Sequence, residues 1–143
     1  MPSLAYQISP KDFRQRRMLQ ATIAVLALLP VFAGLSGVVT GARFLGVDVS
    51  PVDLDSHVRF LSGLFLALGI GWYSCIRAIE KKTERIWLLA ILTFCGGLAR
   101  LASLVIAGPP SAGHLLGLGM ELLVVPCLVF WHHRVSALVK GHL

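Results

Sequence analysis

The sequence predicts an all-α protein, a transmembrane four-helix bundle with both termini in the cytoplasm, and three observations predict it. Four apolar stretches recur along 143 residues, each long enough to cross a bilayer core that takes about 20 helical residues. Only 14% of the residues are charged while 56% are hydrophobic, where a soluble domain is roughly a quarter charged. Lysine and arginine gather in alternate connectors, the pattern of cytoplasmic loops. With a mean hydropathy of +0.78, the apolar atoms must face lipid. The net charge of +6 therefore reflects loop placement, and without a recognition motif it excludes nucleic-acid binding.

The first helix is expected at about 18–40. The charged run from Lys11 to Arg17 resembles the start of a signal peptide, but the apolar run after it exceeds the roughly 7 to 15 residues of a signal core. It reads as a retained span behind a cytoplasmic anchor. Ala27, Pro30, Gly34, Gly37 and Gly41 recur at spacings of three and four, so small residues line one face. Such a face lets another helix approach closely, within the chain or in a homo-oligomer.

The connector 41–56 is expected outside, with Asp53, Asp55 or Ser56 capping the second helix at about 57–79. Arg77 to Arg85 form a basic cytoplasmic connector. The third helix is expected at 86–106, and an uncharged Gly108-Pro109-Pro110-Ser111 turn leads to the fourth at 114–131. His132, His133, Arg134 and Lys140 then make a basic tail. Of thirteen Lys and Arg, ten fall on the cytoplasmic side, Arg43 lies in the outer connector, and Arg59 and Arg100 belong to helices. Trp87 and Trp131 mark the cytoplasmic interface. No repeat or linker interrupts the chain, so residues 1–143 read as one integral membrane domain. The expected location is the cell inner (plasma) membrane, multi-pass.

Cys75, Cys95 and Cys127 lie in apolar runs without CxxC spacing and read as buried small hydrophobes, with no metal or cofactor implied.

The rare charges within the helices define the candidate site. Arg100 lies about 9 Å inside the outer end of helix three at 1.5 Å per residue, and Glu121 lies about 10 Å into helix four running the opposite way. They share a depth. Arg59 is near the outer end of helix two, four residues after Asp55. Ser103 shares the face of Arg100, His114 that of Glu121, and Ser62 that of Arg59. An arginine at mid-membrane costs about 2.5 to 3.5 kcal/mol on insertion scales, so it marks either a structural ion pair or a site. Two arginines over one glutamate leave positive charge for an anionic or strongly polar ligand. His57 beside Asp55 and Ser56 reads as a cap with a surface histidine, or as a proton relay. His114 reads as interfacial, since a metal site with Glu121 would lack a third protein ligand.

The order Asp55-Ser56-His57-Val58-Arg59-Phe60-Leu61-Ser62-Gly63, then Gly96-Gly97-Leu98-Ala99-Arg100-Leu101, then Glu121-Leu122 followed by Pro126, resembles the small bacterial membrane proteins of domain of unknown function family 4345. The resemblance runs from about Met18 to Val135. Ser62-Gly63 stands where the family often has Gly-Gly. It implies four transmembrane helices and assigns no activity. In size and layout the chain is also distantly similar to the DoxX-like proteins, four-helix subunits linked to quinone or thiol redox chemistry, an architectural analogy without a cofactor motif.

Two functions follow as expectations. The first is a non-enzymatic membrane protein whose polar pocket of Arg59, Arg100 and Glu121 binds a small amphiphile such as a lipid head group, or supports a partner complex. The second is an enzyme or redox subunit acting on a lipid or quinone-like substrate, with His57 or Glu121 as acid or base.

Overall fold

The structure, a computed structural model, describes residues 10–140. Among the described residues the elements are all helical. They are α1 (Pro10–Thr40), α2 (Val52–Ile76), α3 (Thr83–Ala107), α4 (Ala112–Gly119) and α5 (Val125–Lys140). Short 3-10 turns occupy Gly41–Leu45 and Ile79–Lys81, and a π-helical turn, Met120–Val124, joins α4 to α5. Four segments have the length and composition to cross a membrane, Lys11–Leu45, Val52–Ile76, Thr83–Ala107 and Ala112–Leu138. The chain is a multi-pass membrane protein.

The helices overrun the apolar windows. α1 begins at Pro10 rather than near residue 18, and α5 carries on to Lys140 instead of stopping at Trp131. Hydropathy marks the lipid-facing part of a helix, whereas its hydrogen bonds continue into the charged turns beyond. α2 starts at Val52 and ends at Ile76, three to five residues earlier than expected. Ala78 then takes a left-handed conformation (φ 55) that turns the chain toward α3. The expected first connector opens with the 3-10 turn Gly41–Leu45, and its last residues, from Val52 on, belong to α2.

The contacts group into two compact units: one is Gln20–Arg77, and the other joins the described residues up to Leu19 to those from Ala78 onward. In the first unit the small-residue face of α1 packs against α2. A Cβ on Gly34 would stand 2.5 Å from the Leu66 backbone nitrogen, and one on Gly37 would overlap Ser62 Oγ. The approach is reciprocal, since a Cβ on Gly69 would come within 2.9 Å of the Val31 backbone nitrogen. Ala27 is buried on the same face. Tyr73 donates to the Ala24 carbonyl (2.8 Å), and Gln20 Nε2 to the Ile76 carbonyl at the end of α2 (2.7 Å).

In the second unit α3 packs along α5, with Ile86, Leu89, Ala90, Leu128, Val129 and Val135 buried. His132, expected in a basic tail beyond the fourth span, lies within α5 and is 1% exposed. Its Nε2 lies 3.0 Å from the Ile79 carbonyl and 3.1 Å from Ser136 Oγ. A carbonyl only accepts, so Nε2 carries the proton there. The cysteines also divide: Cys75 is buried, whereas Cys95 and Cys127 are exposed on their helices. Their apolar surroundings are lipid-facing, so a position in an apolar run did not place them in the protein core.

Candidate functional site

The turn at Met120–Val124 has a visible cause in the sequence. Pro126 offers no N–H to Leu122, four residues earlier, and its ring clashes with that carbonyl in a regular α-helix. The helix widens there, and the Val125 N–H bonds to the Met120 carbonyl, five residues back. Glu121 sits in this turn and is 7% exposed. Single π-helical turns of this kind recur at functional sites.

Gly97 brings α3 against that turn. A Cβ there would stand 2.7 Å from Leu122 Cδ2 and 2.9 Å from Glu121 Cβ, so a larger residue would hold the helices apart. One turn further along α3, Arg100 reaches across. Its Nε lies 3.1 Å from each carboxylate oxygen of Glu121. Only the approach to Oε1 has hydrogen-bond geometry, so Oε2 is buried with the ion pair alone. The pair expected from shared depth is therefore formed. Arg100's Nη1 and Nη2 carry no acceptor among the described residues, and its side chain is 36% exposed. Ser103, three residues on, is exposed. His114 is exposed and its Nδ1 lies 3.0 Å from Ser111 Oγ.

Arg59 has other work. Its Nη1 donates to the carbonyls of Val38 (2.6 Å) and Val39 (3.1 Å), and its Nε to Asp55 Oδ2 (2.7 Å). Those carbonyls belong to the last turn of α1, where acceptors lack intrahelical donors and a cation complements the helix dipole. Asp55 does not cap α2 as expected. Helix α2 begins after Pro51 without a side-chain cap, and Asp55 Oδ1 instead accepts the Ala42 N–H (2.9 Å). Gly41 permits this: its φ is +60, and a Cβ would overlap Asp55 Oδ1. Asp55 and Arg59 together clamp the end of α1 to the start of α2. Ser62 lies over Gly37 in the seam, and His57 is exposed on α2.

Two further features were not legible in the sequence. Arg16 Nε meets Glu80 Oε2 at 2.9 Å, and Trp131 Nε1 donates to Gln15 Oε1 at 3.0 Å, both tying the start of α1 to residues far along the chain. Partial burial works against ionisation of Glu80, but its own backbone N–H and the Arg16 guanidinium outweigh it and hold the carboxyl below its ordinary value. The second is an apolar groove of about 460 Å3 lined by Trp87, Ala90, Ile91, Phe94, Pro126 and Phe130 among others.

With Arg59, Arg100, Glu121 and the glycines beside them in place, comparison with known proteins identifies the relationship. The family described as Domain of unknown function (DUF4345) matches residues 18–132. The chain belongs to this family. Neither the curated proteins nor the solved structures gave a match. The matched range of DUF4345 takes in the Asp55–Arg59 clamp, Gly97, the Arg100–Glu121 pair and Pro126.

Proposed function

We propose that this chain is a bacterial inner-membrane protein with both ends in the cytoplasm, which holds a small anionic or strongly polar amphiphile at Arg100. One observation carries the reading. A guanidinium has five N–H donors, and Arg100 commits only Nε to Glu121, leaving its two terminal nitrogens without a protein acceptor among the described residues. Within a lipid-crossing helix, unmet donors are costly and are met by a ligand, a head group or water. A carboxylate or phosphate matches the free side of the fork. Glu121 orients the guanidinium from its π-helical turn, and the exposed Ser103 and His114 offer further polar contacts. The bias of Lys and Arg toward one side supports the orientation and puts this site in the outer half of the membrane.

Native mass spectrometry of protein purified in mild detergent tests the reading. The wild type should carry a small amphiphile, and Arg100→Gln should lose it. Arg100→Lys keeps the charge beside Glu121 but not the planar fork, so it should stay folded and bind more weakly. An unchanged adduct in both folded variants, or none in the wild type, refutes the proposal.

A further inference from the structure

The turn between α1 and α2 encloses a second polar feature, independent of Arg100. A cleft of about 910 Å3 lies within the unit Gln20–Arg77, and its lining includes Arg43, Phe44, Asp48, Val49, Asp55 and Arg59. The turn joins two membrane-crossing helices, so the cleft lies at the level of the lipid head groups.

Its four charges are of two kinds. Asp55 and Arg59 are committed to each other and to backbone groups at the helix ends. The side chains of Arg43 and Asp48, one cation and one anion, have no hydrogen-bond or ion-pair partner among the described residues. The backbone between them is fixed, because the Gly46 N–H bonds to the Arg43 carbonyl (2.9 Å) and Gly46 takes φ 80. Beside these charges Val49 is 92% and Val52 84% exposed. Both line the cleft as well. Bare valines beside unpaired charges suit an amphiphile that has apolar chains and both signs of charge in its head.

We infer that this cleft binds a zwitterionic phospholipid with a primary amine, its phosphate at Arg43 and its ammonium at Asp48, and its acyl chains passing over Phe44, Val49 and Val52. The amine class follows from hydrogen bonding. A primary ammonium donates N–H bonds to the Asp48 carboxylate, whereas a quaternary choline head has none to give. A purely anionic head would leave Asp48 without a partner and repel it.

The test uses the full chain in nanodiscs of phosphatidylcholine containing small amounts of phosphatidylethanolamine or phosphatidylglycerol, with bound lipid read by native mass spectrometry. The wild type should retain phosphatidylethanolamine about tenfold over either of the others, the scale of one charge-assisted hydrogen bond. Arg43→Gln should lower ethanolamine-lipid retention by a similar factor. Asp48→Asn should bring ethanolamine and choline lipids level. Neither side chain makes a hydrogen bond or ion pair among the described residues, and Asp55, the carboxylate that Arg43 influences, keeps Arg59, so both variants should melt close to the wild type. Equal retention of the three lipids by the wild type, or selectivity unchanged in both variants, overturns the inference. Soluble phosphoethanolamine should fail to displace the lipid; displacement at comparable concentration would show that the chains contribute nothing and overturn the lipid assignment. Arg100→Gln should leave this selectivity intact, which separates the outcome from that of the site at Arg100.

Discussion

Each unit holds an arginine–acid pair with both members in membrane-crossing segments, Asp55–Arg59 in one and Arg100–Glu121 in the other, and the two pairs are built on different principles. Asp55 and Arg59 are four residues apart on one helix, with side chains 35% and 43% exposed. Both ions also serve backbone groups that the helix ends leave open. Arg100 and Glu121 come from different helices, meet through one nitrogen, and bury the acid to 9% side-chain exposure. Where every charged group serves the backbone, the pair is a fastener. Where burial is deep and donors are left over, the fold holds a charge in lipid beyond what its own acceptors satisfy.

Removing charges would break this contrast most visibly. Arg100→Leu or Glu121→Leu alone strands the other charge in a low-dielectric interior and should cost about 3 to 5 kcal/mol, measured by thermal or denaturant unfolding in detergent. The double variant should recover much of the loss, with a coupling of roughly 0.5 to 3 kcal/mol. Additive losses would show that the two ions act independently. Arg59→Leu should lower the melting temperature less than either, because Asp55 keeps both water access and the Ala42 N–H.

The glycines that permit each pair give the next effect. Gly97→Leu should separate α3 from the π-helical turn and weaken the Arg100 contact, and Gly37→Leu should force apart α1 and α2 at Ser62. Overpacking of this kind costs about 1 to 3 kcal/mol and sometimes more. Gly97→Leu should also reduce retention of the amphiphile at Arg100, while Gly37→Leu should change stability alone. Wild-type stability in both variants would refute the close packing.

The smallest effect concerns Arg16 and Glu80, the latter in the turn Ile79–Lys81 outside the membrane-crossing segments. The folded state holds Glu80 below its unfolded value. The pair's stabilisation is therefore present above the unfolded value of about 4.3 and is lost as pH falls through the folded one. Melting temperature followed from neutral to acid pH should drop less steeply for Arg16→Gln than for the wild type. Parallel curves would mean that Arg16 does not hold the glutamate.

What the sequence made legible was whatever depends on spacing along a rod. The four spans, the small-residue seam of α1 and the meeting of Arg100 with Glu121 all follow from 1.5 Å per residue and from which side chains share a face. What it concealed depends on partners brought from elsewhere. Arg59 read as a charge available to a ligand, because nothing local reveals that it reaches the carbonyls of Val38 and Val39. His132 read as part of a basic tail, since nothing local reveals that it meets the carbonyl of Ile79, 53 positions earlier. The turn around Glu121 had a local signal in Pro126, which is informative only when its missing N–H is traced back to Leu122.

The connection between α3 and α4 has a consequence for how the chain enters its membrane. Only Gly108 to Ser111 lie between these helices, and none of them is charged. A third span delivered alone would carry Arg100 into hydrocarbon at about 2.5 to 3.5 kcal/mol on translocon scales, and the fourth would do the same with Glu121. Emerging from the ribosome 21 residues apart, the two reach the insertion machinery nearly together. Cooperative entry as a hairpin, with the charges neutralised before either meets lipid, is the route that this short uncharged turn favours.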